Sequence, residues 1–250
     1  MSGQGVLIVI PARMAASRLP GKPLADIHGE PMIAHVWRRA MEADIGRVVV
    51  AAAEEEIAEA VDACGGEAVL TDPELPSGTD RVRAAAALAD PEGTCDVVVN
   101  LQGDQPAIRP GVLRAAVDPL AEGMDIGTAA APVTDPSERD DPNVVKAVIS
   151  LNGEAAPGQW GRALWFSRAA APWGEGPFFH HIGVYAFRRA ALERFVSLPP
   201  SPLERREKLE QLRALEAGMT IGAALVDTIP LCVDTPADLE QVRALMKAAS

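Results

Sequence analysis

The stretch from Val9 to Leu24, V-I-P-A-R-M-A-A-S-R-L-P-G-K-P-L, decides how the rest of this chain is interpreted. It continues the apolar run Val6–Ile10, which is typical of a buried strand. Three cations, Arg13, Arg18 and Lys22, follow among three prolines and a glycine, a composition that predicts a shaped loop. Open α/β sheets bind ligands at the carboxyl ends of their strands, so a polyanion such as a nucleoside triphosphate is the first candidate ligand. A basic loop that is simply solvated is the alternative.

This loop differs from a Walker P-loop. That motif requires a glycine five residues before the Gly-Lys pair and a serine or threonine after the lysine. Ala16 stands at the first of these positions and Pro23 at the second. Any phosphate binding here must therefore use another geometry.

The first half of the chain alternates apolar strands with helices. Helices are predicted at Pro31–Glu42 and Glu54–Ala63, and further strands at Arg47–Ala53, Glu67–Leu70 and Asp96–Leu101. This alternation predicts a mostly parallel sheet with crossover connections.

The alternation loosens after about residue 125, where short extended segments dominate. Strands are predicted at 126–132, 143–151, 163–166, 181–187, 220–226 and 229–233. Ser201-Pro202-Leu203-Glu204 forms a capping box that predicts a helix to about Ala217, and Thr235-Pro236 opens a last helix. We expect residues 1–250 to form one α/β domain with a β-rich insertion.

Composition narrows the class of protein. The net charge of −12 argues against a general nucleic-acid binder, although residues 1–39 hold five cations and only two acids. The three cysteines show no C-x-x-C spacing, so neither a disulfide framework nor a zinc site is expected. With no signal-peptide pattern and no apolar stretch of membrane-spanning length, a cytoplasmic protein without membrane association is expected.

Two acidic turns are candidates for metal binding. Asp104, in Leu101-Gln102-Gly103-Asp104-Gln105-Pro106, directly follows a predicted strand and should lie at the same sheet edge as the basic loop. A carboxylate that faces phosphates at such an edge is a natural Mg²⁺ ligand, whereas an ordinary turn aspartate is the alternative. Asp234 stands just before the last helix, where an extension of the helix cap is the first interpretation from the residues alone.

A third motif, Ser77-Gly78-Thr79-Asp80-Arg81, opens an alanine-rich helix. Its exposed backbone N–H groups could bind a base edge or an anion. A plain helix cap is the competing interpretation.

Taken together, these motifs resemble the 3-deoxy-manno-octulosonate (Kdo) cytidylyltransferase family, also called CMP-Kdo synthetases. R-L-P-G-K-P-L after V-I-P-A-R, Q-G-D-Q-P, S-G-T-D-R and V-D-T-P-A-D-L occur in the order of that family, over residues 5 to about 247. The family usually has G-D-E-P where this chain has Gln105, and more often glycine where it has Cys232. The resemblance implies a Rossmann-like nucleotidyltransferase fold, with the nucleotide-binding part at about 1–125 and a sugar-binding and dimerisation part at about 126–230.

The resemblance also assigns roles to individual residues. Asp104 and Asp234 are implied as ligands of Mg²⁺, and catalysis is implied for both together with Lys22, Arg13 and Arg18. The implied nucleotide contacts are Pro11, Ala12, Arg13, Arg18, Lys22, Ser77, Gly78, Arg81 and Asp104.

For the sugar acid, the resemblance rests on Trp165-Phe166-Ser167-Arg168, His181-Ile182-Gly183-Val184-Tyr185 and Glu207-Lys208-Leu209-Glu210-Gln211-Leu212-Arg213. The implied sugar contacts are Gln102, Arg168, His181, Tyr185, Glu210 and Gln211. A strand histidine and a solvated helix face are the alternatives for His181 and for the pair Glu210 and Gln211.

The implied reaction joins CTP and Kdo to give CMP-Kdo and pyrophosphate, in a cytoplasmic homodimer that serves lipopolysaccharide synthesis. An 8-amino-Kdo analogue and neuraminic acid remain alternative substrates. A nucleotide-sugar binding protein that has lost catalysis is the alternative from another functional class.

Overall fold

Strand β1, Val6–Ala12, lies at the centre of the parallel sheet in the computed structural model, which describes residues 5–16, 18–151 and 153–248. Its run of β-branched and leucine side chains suits a strand that is buried on both faces. Leu7, Ile8, Val9 and Ile10 are all fully buried. Parallel strands lie on either side of β1, as the continuous apolar run predicts.

The chain divides into two units, one formed by residues 1–113 and 230–250 and the other by residues 114–229. In the first unit the strand order is β5-β4-β1-β6, and all three pairings are parallel. Its elements are β1, β2 (Asp26–Ile27), β3 (Glu30–Pro31), α1 (Met32–Glu42), β4 (Arg47–Ala52), α2 (Glu55–Ala63), β5 (Ala68–Leu70), α3 (Gly78–Ala89) and β6 (Val97–Leu101).

Helix α4, Pro110–Ala121, carries the chain into the second unit, and the last helix of the chain belongs again to the first. The second unit contains β7 (Ile126–Pro132), α5 (Ser137–Asp140), β8 (Lys146–Leu151), β9 (Trp160–Ser167), β10 (Phe179–Arg188), α6 (Arg189–Ser197), α7 (Pro202–Glu207), α8 (Leu212–Glu216) and β11 (Ile221–Leu225); α9 (Pro236–Ala248) completes the chain.

Antiparallel pairing dominates the second unit. Its strand order is β10-β7-β11-β9-β8, in which only β7 and β11 run parallel. The sheet curls until β8 also pairs with β10, through Lys146 and His180. The predicted α/β fold with a β-rich insertion is confirmed; whether the chain behaves as a single domain stays a prediction.

Two predicted elements were wrong. The helix expected from Ser201 to about Ala217 is two short helices, α7 and α8, because Lys208 adopts a left-handed conformation (φ 56°) that interrupts the turn pattern. The strand expected at 229–233 is absent, and these residues form an irregular connection. Val233 does donate one backbone hydrogen bond, to the Asp104 carbonyl, but no ladder follows.

In the described part of the chain, no helix combines the length and the apolar character needed to cross a bilayer.

A polar pair lies inside the second unit. His181 on β10 is 8% exposed, and its Nε2 lies 3.0 Å from the Thr128 hydroxyl on β7. Burial, with a smaller contribution from His180, lowers the pKa of His181 to about 3. The ring is therefore neutral in the folded protein at neutral pH.

The buried ring predicts a loss of stability in acid. Between pH 6.5 and about pH 3, the His181 ring is protonated in the unfolded chain but stays neutral in the folded chain. The free energy of unfolding should therefore fall as the pH falls, by about 2 kcal/mol at pH 5 from this group alone. Urea unfolding at pH 7 and pH 5 measures it, and His181→Gln should reduce the fall. An equal fall in the variant would contradict the buried, neutral assignment.

A close approach between the turn at Gly103 and strand β1 predicts a second effect. A Cβ atom at Gly103 would lie 2.8 Å from the backbone oxygen of Pro11, which has no room to move because it sits in β1. Gly103→Ala should therefore destabilise the protein by about 1–3 kcal/mol in urea unfolding. Gly111→Ala is the control, because a Cβ there meets nothing within 4 Å. Equal stability of the two variants would show that the turn at Gly103 can move away from β1 without cost.

Candidate active site

The candidate site begins where β1 and β6 end side by side. The two strands are parallel neighbours, with Val9 opposite Asn100, so their carboxyl ends reach the same edge of the sheet. Arg13 directly follows β1, and Gln102 directly follows β6. The basic loop and the first acidic turn therefore start next to each other, as the alternation of strands and helices predicted.

The end of the basic loop is a tight turn. Gly21 adopts a left-handed conformation (φ 71°) that favours glycine, and its N–H donates to the Met14 carbonyl at 3.1 Å. A single 3-10 turn, Lys22–Leu24, follows directly. This turn fixes the backbone from which the Lys22 side chain projects.

Lys22 connects the two acidic turns. Its ammonium donates to Asp104 Oδ2 at 2.8 Å and to Asp234 Oδ1 at 3.3 Å. Burial by itself lowers the pKa of Lys22, but the attraction to Asp104 and then to Asp234 outweighs it, so the pKa is raised above 10.5. The lysine is thus fully charged at neutral pH and neutralises part of the charge of two converging carboxylates.

Asp234 is positioned by the residues around it. Val233 donates its N–H to the Asp104 carbonyl at 2.9 Å, which ties the two acidic turns together. At the start of α9, Asp238 Oδ2 accepts the N–H groups of Asp234 and Thr235 at 3.0 and 2.8 Å. The cap interpretation therefore applies to Thr235 and Asp238, while the Asp234 carboxylate remains available to face Lys22.

Arg18 also reaches Asp234, with its Nη2 3.1 Å from Oδ2. The Arg18 side chain is 65% exposed, and an exposed ion pair of this kind contributes about 0–1 kcal/mol. Lys22, with 16% of its side chain exposed, is the better-fixed cation of the two.

These groups surround an open cavity of about 340 Å³. Every predicted nucleotide contact lines it, together with Gln102, which was predicted to bind the sugar acid, and Asp234. The full lining is Pro11, Ala12, Arg13, Ala15, Ala16, Arg18, Lys22, Pro23, Leu75, Ser77, Gly78, Arg81, Gln102, Gly103, Asp104 and Asp234. Sequence reasoning missed Leu75, whose apolar character gave no signal within its loop.

The predicted base-binding motif has a clear structural role. Ser77 caps α3 by accepting the Asp80 N–H at 3.1 Å. Arg81 is 2% exposed and donates to Thr71 Oγ1 at 2.6 Å and to the Asp72 carbonyl at 3.0 Å. Arg81 thus holds the loop before α3 in place, and its predicted direct contact with a nucleotide stays a prediction.

The donor set at the acidic turns fits a magnesium ion. Among residues 5–16, 18–151 and 153–248, no cluster of three or more His, Cys, Asp or Glu side chains could form a metal cage by itself. Asp104 and Asp234 nevertheless converge on one cation, the Lys22 ammonium. Two carboxylates completed by phosphate oxygens and water are a usual arrangement for Mg²⁺, which keeps few protein ligands.

The five other predicted sugar contacts are all buried or partly buried in the second unit. His181 lies 5.5 Å from the Tyr185 ring and 4.8 Å, edge-on, from the Phe166 ring. Burial and the nearby Glu210 raise the pKa of Tyr185, so its hydroxyl stays protonated and can donate. Gln211 is 6% exposed beside Glu210 in the chain, which contradicts a solvated helix face at that residue.

Arg168 contacts backbone carbonyls. Its Nε donates to the Glu207 carbonyl and its Nη1 to the Pro142 carbonyl, both at 2.8 Å.

The fully buried Lys146 donates to the carbonyl groups of Asp141, Val144 and Arg168 at 2.6–2.8 Å. Sequence reasoning missed Lys146, because a single lysine in a short strand gives no sign of burial.

Known proteins resemble this chain in sequence. The family model described as "Cytidylyltransferase" matches residues 7–221. Proteins called 3-deoxy-manno-octulosonate cytidylyltransferase in Parvibaculum lavamentivorans and Rhodospirillum centenum are 65% and 67% identical, over 98% and 96% of this chain and 93% of each relative.

Solved structures show the same fold. CMP:2-keto-3-deoxy-manno-octonic acid synthetase, solved as a complex with CTP, matches with a TM-score of 0.89 and 38% identity over 98% of this chain and 100% of that one. A nucleotidyl transferase from Methanothermobacter, at 16% identity and a TM-score of 0.61, is similar in fold alone. On this combined similarity of sequence and structure, the chain belongs to the 3-deoxy-manno-octulosonate cytidylyltransferase family.

Proposed function

We propose that this protein is a cytidylyltransferase that converts CTP and Kdo into CMP-Kdo and pyrophosphate. The observation that carries the proposal is the convergence of Lys22, Asp104 and Asp234 at the cavity where β1 and β6 end. Two carboxylates and a charged lysine at a parallel-sheet edge suit a triphosphate with a divalent cation. The similarity to relatives of that name supports CTP and Kdo as the substrates.

The chemical step is an in-line displacement at phosphorus. The anomeric hydroxyl oxygen of the sugar acid forms a bond to the α-phosphorus of CTP as the bond from that phosphorus to the α–β bridging oxygen breaks. Pyrophosphate leaves with the bonding electrons, and the hydroxyl proton passes to solvent. Such transfers depend on positioning and charge neutralisation more than on covalent help from the protein.

Charge neutralisation falls to the basic loop. Lys22, held at the cavity and charged, would contact the phosphates, and Arg13 and Arg18 at the cavity wall would add further cations. Together they stabilise negative charge that shifts onto the leaving pyrophosphate. Lys22 must then exchange some of its present carboxylate contacts for phosphate contacts.

Asp104 and Asp234 would hold Mg²⁺ beside the triphosphate. A bound Mg²⁺ neutralises phosphate charge and orients the reactants. The two carboxylates contribute by converging on one point, which the hydrogen bond between Val233 and the Asp104 carbonyl maintains.

Nucleotide and sugar recognition complete the proposal. The N-terminal turn of α3, at Ser77 and Gly78, would bind cytidine, with Arg81 shaping the loop in front of it. Gln102 would contact the sugar acid at the cavity. In the second unit, the similarity to the family supports Arg168, His181, Tyr185, Glu210 and Gln211 as sugar contacts. A cytoplasmic homodimer, as the resemblance implies, remains part of the proposal.

Asp104→Asn tests the metal assignment. The amide cannot replace the charge of a carboxylate ligand, so release of pyrophosphate from CTP with Kdo and Mg²⁺ should fall by at least about 100-fold. Thermal unfolding should change little, because asparagine keeps an acceptor oxygen for the Lys22 ammonium and Asp234 still provides a carboxylate for it.

Asp96→Asn is the matched control, since Asp96 is exposed and lies at the opposite end of the same strand β6. It should keep full activity. Near-normal turnover of Asp104→Asn would contradict the assignment of Asp104 as a metal ligand.

A panel of sugar acids tests the substrate. With CTP and Mg²⁺, Kdo should give the highest kcat/KM, above neuraminic acid by several orders of magnitude. An 8-amino analogue differs from Kdo by one substituent at the far end of the sugar, so kcat/KM should differ less between these two than between Kdo and neuraminic acid. Pyrophosphate release with neuraminic acid alone would identify the rival enzyme, and no release with any sugar acid would favour a binding protein.

A further inference from the structure

Glu54 is an acidic side chain that the proposed reaction does not use. It follows β4 and stands directly before α2. Its Oε2 accepts the backbone N–H of Met14 at 2.9 Å, across 40 residues of sequence. Glu54 is absent from the cavity lining, so it contacts the basic loop from outside the candidate site.

Met14 is the point at which the basic loop is closed. Its N–H is held by Glu54, and its carbonyl accepts the N–H of Gly21 at 3.1 Å. Gly21 leads directly into the turn that carries Lys22. One residue thus fixes both the start and the end of the loop, and a carboxylate from β4 fixes that residue.

The backbone next to this contact reinforces it. Ala53, the residue before Glu54, donates its N–H to the carbonyl of Ala12 at 3.0 Å. Ala12 lies two residues before Met14. The exits of β4 and β1 are therefore joined by a main-chain hydrogen bond and a side-chain hydrogen bond in succession. A hydrogen bond to a charged acceptor is about twice as strong as a neutral one.

Charge gives Glu54 a second effect. Burial lowers the pKa of Arg81, and Arg13 lowers it further by repulsion, whereas Glu54 acts in the opposite direction. The Glu54 carboxylate therefore offsets part of the repulsion between Arg13 and Arg81, which both line the cavity.

We propose that Glu54 is a positioning residue for nucleotide binding, which acts by holding Met14 and through it the loop that presents Arg13 and Lys22. This inference rests on the proposed function for the consequence in CTP binding. Its structural part, the anchoring of Met14, stands independently of the substrate.

Three variants of the full-length protein separate the hydrogen bond from the charge. Glu54→Ala removes both. Glu54→Gln keeps an acceptor oxygen at the same reach, and Glu54→Asp keeps the charge but is one methylene shorter. Glu55→Ala is the matched control, because Glu55 is the exposed neighbouring acid at the start of α2.

Amide hydrogen exchange of the protein without nucleotide is the first measurement. The Met14 and Gly21 amides should exchange about tenfold faster in Glu54→Ala and Glu54→Asp, by a smaller factor in Glu54→Gln because its acceptor is neutral, and at the wild-type rate in Glu55→Ala. The dissociation constant of CTP with Mg²⁺, measured by calorimetry, should rise about tenfold in the same two variants.

The outcomes distinguish the two proposals. Unchanged exchange in Glu54→Ala overturns the positioning role, whatever happens to CTP binding. Faster exchange in Glu54→Gln but not in Glu54→Asp also overturns it, because charge rather than the hydrogen bond would then be responsible. Failure of the wild-type protein to bind CTP refutes the proposed function, while the exchange rates still decide the anchoring. If Glu54→Ala does not fold, the contrast between Gln and Asp decides alone.

Discussion

The contact of one ammonium group with two carboxylates is the interaction on which the candidate site depends. Lys22, Asp104 and Asp234 come from three loops separated by 82 and 130 residues along the chain, and the Lys22 ammonium lies within 3.3 Å of both acids. Two carboxylates about 4 Å apart repel by roughly 4 kcal/mol at an effective dielectric near 20, so their convergence requires a cation. The pKa of Lys22 is raised for the same reason, because both carboxylates stabilise its protonated ammonium group.

The sheet and two glycines make this convergence possible. β1 and β6 are parallel neighbours, so the loops that follow them meet at one edge. Gly103 lets the turn of Asp104 approach the backbone of Pro11, and Gly21 lets the basic loop close on Met14. Asp234 joins them from the far end of the chain, where Val233 packs in a small core with Ile27, Met32, Leu239 and Val242. The fold thus brings three distant charges together before any substrate binds.

The sequence predicted the elements with strong local signals. Strand β1 and the turns of Lys22 and Asp104 were predictable, because an apolar run followed by proline, glycine and charge defines a strand end. Contacts between a side chain and a distant part of the backbone were not predictable. No local sequence pattern indicates which carbonyl or N–H group Glu54, Lys146 or Arg81 contacts. The helix break at Lys208 was missed for the same reason. Its left-handed conformation accompanies the contacts of the Glu207 and Lys208 carbonyls with Arg168, which no local pattern encodes.

Asp104 and Asp234 are proposed to share one divalent cation when CTP is bound. Crystals grown with CTP and Mn²⁺, which substitutes for Mg²⁺ and scatters anomalously, locate that cation directly. We predict an anomalous peak about 2.1 Å from oxygens of both carboxylates, with the Lys22 ammonium moved toward the phosphates. A peak bound to neither aspartate, or carboxylates that face away from each other around bound CTP, would contradict the account.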